Sequence, residues 1–165
     1  MECINFDEQF EQYESEWIHE HAAEYGNSVE RMEEEMPALY EEWLHQPADW
    51  LDGVAPCMYF ERFDDAFMLC EWMEEYFQQN VPVPDLLLDR ITELGEDAER
   101  ALRAAMQMRP DLETGNALGF ALVRQKKAAA ALDVFRGVLA SDATSAPALL
   151  GAGIASEDLG EKEQA

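Results

Sequence analysis

Basic side chains are nearly missing from the first half of this chain. Arg31 and Arg62 are the only Lys or Arg before Arg90, against 22 Asp and Glu in residues 1–80. Residues 81–165 are closer to balance, with 14 acidic and 9 basic side chains, and the 165 residues together carry a formal net charge of −25. General affinity for nucleic acid or anionic lipid needs a cationic surface, so neither direct nucleic-acid binding nor membrane binding is expected. No run approaches about 18 uninterrupted apolar residues, the length a membrane span requires. The start, Met1-Glu2-Cys3-Ile4-Asn5, lacks the basic and apolar segments of a secretory signal. Cysteine is scarce too: Cys3, Cys57 and Cys70 form no C-x-x-C pair. A reduced, cytoplasmic setting is the matching expectation. The chain has no Gly-rich phosphate loop and no Gly-x-Ser-x-Gly elbow. Cys57 and Cys70 have no nearby His or basic cluster to activate a thiol. The expectation is therefore a protein without catalysis and without a cofactor.

Apolar residues are plentiful at 48%, including 4 Trp, 8 Phe and 8 Met. Disordered acidic chains lack the aromatic surface that offsets ordering entropy, so this chain folds. Alternating β-branched runs are absent, and nearly everything reads as helix. Phe6, Phe10, Tyr13, Trp17 and Ile18 share one face of a helix over 6–25, ended by Gly26-Asn27. Ser28 caps a second helix to about 45, which Pro37 must kink or restart and Pro47 closes. Pro56 suits the first turn of a helix over 56–62. Asp64 caps a helix over 65–79, apolar around most of its circumference and so expected to be central. Val81-Pro82-Val83-Pro84 is an extended connector. Further helices are expected near 85–94, 97–108, 112–125, 128–140 and 145–158. The style changes from Glu- and aromatic-rich to Ala- and Leu-rich around 81–95. The expected organisation is an acidic helical portion over 1–80 and helical hairpins over 81–165, packed as one continuous unit in an all-α, α–α superhelical fold.

A 34-residue period runs through the second half: Leu118-Gly119 recurs as Ala152-Gly153, Lys126 aligns with Gly160, and Ala131 with Ala165. Leu118, Gly119, Leu122, Ala131, Phe135 and Leu139 resemble the small and large packing positions of the tetratricopeptide (TPR) repeat. Ala98, Leu102, Ala105 and Pro110 resemble the second helix of an earlier unit, with one residue of slippage, and residues 82–110 equally resemble a HEAT repeat. Gly115 and Leu149 stand where Trp is common in TPR units, and Ala143 replaces the usual closing proline. The resemblance implies a groove lined by first helices that receives an extended peptide or a partner helix. Position by position it places Asn116, Phe120, Val123 and Arg124 on that groove, followed by Leu150, Ile154 and Glu157. Phe120 stands where repeats that grip a C-terminal carboxylate have Asn, so that mode is not implied. The second unit breaks off where its second helix should begin. An element covering Leu149, Leu150 and Ile154 is therefore expected: further chain, or another chain, including a second copy meeting this C-terminal edge. Arg124, Lys126, Lys127 and Arg136 form a basic patch suited to meet the acidic half of a neighbouring protomer, in head-to-tail association.

Two Glu-x-x-His motifs lie in the acidic half, Glu16 to His19 and Glu42 to His45. Spacing of i, i+3 puts each pair on one helical face, and such motifs hold paired metals in some four-helix bundles. That arrangement needs further helices with inward Glu between the motif helices, and here the motifs sit on consecutive helices. Both follow a Tyr-Glu…Glu-Trp-x-His pattern, so Trp17 and Trp43 are expected to pack alike. His19-Glu20-His21 puts its two imidazoles on different faces. The run Glu33-Glu34-Glu35, with Glu30, Glu41 and Glu42, is expected to be a solvated face. The leading functional expectation is a non-catalytic scaffold or adaptor that binds a protein or peptide on its helical-repeat surface. Behind it stand an acidic inhibitor or nucleic-acid mimic that occupies a basic protein surface, and then a di-metal carboxylate enzyme.

Overall fold

The computed structural model describes residues 2–26 and 28–164, apart from the side chains of 161–164. Asn27 and Ala165, used above to end a helix and to align the repeat, lie outside the described residues. The described chain is all-α. Its helices are α1 Phe6–His21, α2 Val29–Glu33, α3 Met36–His45, α4 Ala66–Gln79, α5 Asp85–Glu93, α6 Gly95–Met108, α7 Leu112–Arg124, α8 Ala128–Ser141 and α9 Ala146–Gln164. Among the described residues the extended pairing amounts to one isolated bridge, Ala48 with Val54. No described helix is long and apolar enough to cross a membrane. The chain divides into two compact units, Met1–Phe63 with Glu75–Leu86, and Asp64–Glu74 with Leu87–Ala165.

Local chemistry explains several helix starts. Asn5 caps α1 by accepting the Glu8 amide at 3.2 Å, and Asp111 caps α7 by accepting the Thr114 amide at 2.8 Å. Pro37 restarts the second helix rather than kinking it: α2 stops at Glu33, and the proline sits in the first turn of α3, where its missing N–H has no partner to lose. The cap of α4 is Asp65 rather than Asp64, with Oδ1 accepting the Phe67 and Met68 amides at 3.0 and 3.2 Å. The helix expected over 56–62 is instead two short 3-10 turns, Pro56–Met58 and Phe60–Arg62. Backbone bonds there span three residues, as in Tyr59 N–H to Pro56 C=O at 3.1 Å and Phe63 N–H to Phe60 C=O at 3.0 Å.

The first unit is held by aromatic contact. Phe6 is 5% exposed and meets Trp50, Tyr59 and Phe60 with centroids 5.4, 6.0 and 5.6 Å away. Phe10 sets its ring edgewise to Tyr40 and Trp43 at 4.9 and 5.4 Å. Trp17 and Trp43 do not pack alike: Trp43 is buried, whereas Trp17 is half-buried and stacks on His21 of its own helix at 4.7 Å. The Tyr76 side chain, fully buried, hydrogen-bonds both the N–H and the C=O of Ile4 at 3.1 Å.

In the second unit α6, α7, α8 and α9 pack each against the next, and α7 also touches α9. That order of contacts is consistent with a superhelical stack of hairpins. Ala98, Ala101, Leu102, Ala121, Leu122, Ala131, Phe135 and Ala155 fill its core at 2% exposure or less. Cys70 is buried in the same unit, and burial, then the Glu74 charge, push its thiol up to about 12. An unfolded thiol ionises near roughly 8.5, so unfolding releases the Cys70 proton anywhere between those values. The stability from the buried neutral thiol is full below pH ~8.5 and declines as pH rises towards 12. Urea unfolding at stepped alkaline pH should show this decline, and Cys70→Ala should flatten part of it. An identical slope in both proteins would contradict the assignment.

Candidate functional site

The residues that the repeat pattern assigns to a groove lie on α7 and α9. Phe120 and Val123 are half-buried and Arg124 is exposed on α7; Ile154 is half-buried and Glu157 exposed on α9, where Leu150 is 62% exposed. Asn116 lies deeper than a groove residue should. It is 7% exposed, with Nδ2 directed at Ser145 Oγ 3.5 Å away and Oδ1 without a hydrogen-bond partner. Ser145 Oγ in turn accepts the Ala148 amide at 3.4 Å, so Asn116 braces the start of α9.

Phe135 organises the surface from beneath. Its ring is fully buried and lies edgewise to Phe120 at 5.2 Å. A Cβ on Gly119 of α7 would stand 2.5 Å from this ring, and one on Gly151 of α9 would stand 2.1 Å away. Two helices thus close on one aromatic ring, and only glycine permits the approach. Gly115 plays the same part against Val138, at 2.7 Å. The 34-residue period assigns that part on α9 to Gly153, but Gly153 has nothing within 4 Å of its Cβ position. The clamp residue is Gly151, which sequence reasoning missed; two glycines in Gly151-Ala152-Gly153 were its only signal. Leu149 and Leu150 are 53% and 62% exposed. The turn at Lys126, with φ of 58°, also has no counterpart at Gly160, because α9 continues through that position.

The basic patch is internally neutralised. Arg124 reaches Asp89 at 3.3 Å and Glu93 at 3.9 Å on α5, Lys126 reaches Asp158 at 3.8 Å, Lys127 reaches Glu99 at 2.7 Å, and Arg136 reaches Asp133 at 3.7 Å. Lys127 and Arg103 hold the Glu99 carboxyl below its ordinary range, with the Lys127 hydrogen bond the larger cause. An open cleft of about 460 Å³ lies beside Arg124, lined by Thr92, Glu93, Gly95, Val123, Gln125 and Lys126. The Gln125 amide donates to the Gly95 carbonyl at 3.1 Å, tying α7 to the start of α6.

Glu16, His19, Glu42 and His45 are not gathered into a centre, since no group of three or more His, Cys, Asp or Glu able to hold a metal ion occurs among the described residues. His45 donates Nδ1–H to the Glu41 carbonyl at 2.8 Å, and Glu42 accepts from Gln46 at 2.7 Å. Glu30, Glu33, Glu34, Glu35, Glu41 and Glu42 are all exposed, as a solvated face requires. No protein-family model, no curated protein and no solved structure matches this chain.

Proposed function

We propose that the chain is a non-catalytic scaffold or adaptor whose stacked hairpins, TPR-like in order and spacing, receive a peptide or helix of a partner protein on the face formed by α7 and α9. One observation carries the reading: Phe120, Leu150 and Ile154 leave apolar surface open on two first helices that Phe135 locks side by side. A rigid pair of helices with one exposed aliphatic anchor and half-buried aromatic and aliphatic ones suits helix-in-groove or extended-peptide recognition. Arg124, held by Asp89 and Glu93, contributes orientation at the rim more than attraction. A partner that docks mainly on apolar anchors stays bound at moderate salt, because screening weakens long-range charge steering and leaves apolar burial intact.

Peptides selected from a displayed random library supply the test. The selected peptides should shift the backbone amide resonances of Phe120, Val123, Leu150 and Ile154. Leu150→Glu should weaken them at least about tenfold, as loss of an anchor does, without lowering the melting temperature, since Leu150 packs little. Phe120→Glu should act in the same direction. Binders that ignore Leu150→Glu and vanish steeply with salt would overturn the proposal.

A further inference from the structure

The acidic first unit contains a second concave surface, separate from the α7–α9 face. Gln9, Gln12, Tyr13 and Glu16 follow one another along a single face of α1 and form one wall of a cleft of about 350 Å³. Trp43 and Gln46 from the end of α3, and Pro47 to Trp50 beyond it, form the other. The turn that carries Trp50 is fixed in place: Ala48 N–H bonds Val54 C=O at 3.2 Å, Gly53 N–H bonds Ala48 C=O at 2.9 Å, and Asp52 and Gly53 adopt left-handed φ of 54° and 78°. Trp50 is therefore held with its ring within 21° of parallel to Trp43, centroids 6.1 Å apart, and Phe6 supports it edgewise from behind. Trp43 is supported in turn by Phe10. The aromatic wall is pre-formed.

We infer that this cleft binds an organic cation, the guanidinium or alkylammonium head of a ligand or of a basic side chain. Tyr13 and Trp50, both half-buried, offer the aromatic groups over which such a head binds best, and Trp43, buried and stacked with both Tyr40 and Trp50, backs the wall. Glu16 and Asp49 supply negative charge at the same cleft, and Gln9, Gln12 and Gln46 line it with amide groups. No Lys or Arg lines the cleft, so nothing in it fills the cation's place. The surrounding unit reinforces the choice, since Arg31 and Arg62 are its only Lys or Arg. Such a field concentrates cations and disfavours anions. The volume is at the small end of ligand pockets, about 300–1,000 Å³, and matches a head group rather than a large molecule.

The four indole N–H resonances, from Trp17, Trp43, Trp50 and Trp72, give a direct readout on the full chain. Nα-acetyl-arginine amide, titrated to tens of millimolar at constant ionic strength, should shift the Trp43 and Trp50 signals saturably and leave Trp17 and Trp72 in place. Nα-acetyl-citrulline amide, of closely similar shape without the charge, should not. Glu16→Gln combined with Asp49→Asn should weaken the arginine amide about fivefold or more. Both side chains are exposed, so this variant should melt like the parent. Spermidine and an acetylated Gly-Arg-Gly amide, run in parallel, tell a free polyamine from a peptide side chain by which binds tighter. Equal response to arginine and citrulline amides, equal shifts of all four indoles, or unchanged affinity in the double variant would overturn the assignment.

Discussion

Phe135→Ala should lower the unfolding free energy by about 3–5 kcal/mol, the usual cost of truncating a fully buried aromatic. The ring is 0% exposed, and its contacts come from α7, through Gly119 and Phe120, and from α9, through Gly151. Removing it leaves a gap that both helices border. The neighbouring glycines give a sharper check, because two changes two residues apart should have opposite signs. Gly153→Ala meets open space in a helix interior and should stabilise by about 0.5–1 kcal/mol through helix propensity alone. Gly151→Ala gains the same propensity but drives a methyl to 2.1 Å from a ring that Gly119 also confines. Overpacking of that kind costs about 1–3 kcal/mol, so the net change should be destabilising. Urea unfolding of the three variants reads all of this. Stabilisation by both alanines would mean that α9 does not clamp the ring.

The helices were legible in sequence because their signals are local. Apolar spacing located α1 and α4 to α9, and Pro37, Pro47 and Gly26 marked breaks that no helix could ignore. Choices between neighbours were less legible. Asp64 and Asp65 are chemically equivalent caps, and only the path of the chain from Phe63 selects Asp65. The period assigned Gly153 to the clamp where Gly151 acts, because a repeat alignment fixes sequence spacing and not the rotation of one helix against the next. Trp17 and Trp43 share a local pattern but differ in what faces them: Phe10 and Trp50 for one, His21 for the other. The cleft at Trp50 was illegible for the same reason. It depends on the Ala48–Val54 bridge and on the approach of Phe6, contacts that no helical periodicity encodes. The repeat pattern placed Asn116 on the groove; its burial follows instead from its contact with Ser145, 29 residues away, which no helical spacing encodes.

Tyr76 ties the start of the chain to the first unit, and its two halves separate by substitution. Tyr76→Ala should cost about 3–5 kcal/mol, since the side chain is fully buried and the space it leaves closes only in part. Tyr76→Phe keeps the ring and removes the hydroxyl that serves Ile4 N–H and C=O. Two backbone groups then lose their partner, at about 1–3 kcal/mol for those left out of reach of water. The two variants should also differ in where the loss appears. Tyr76→Phe should raise amide hydrogen exchange at residues 3–5 more than elsewhere, because its cost falls on the tether. Tyr76→Ala should raise it throughout the first unit. The phenol's ionisation gives a third check, since burial holds it far above the ordinary tyrosine range, with the Ile4 hydrogen bond offsetting part of the rise. A phenol raised in the folded state gives stability that is full below its unfolded value of about 10 and declines as pH climbs above it. The parent should therefore lose stability above pH ~10 faster than Tyr76→Phe, which has no such proton to release. Parallel alkaline slopes, with exchange at residues 3–5 unchanged, would show that the hydroxyl does not hold the tether.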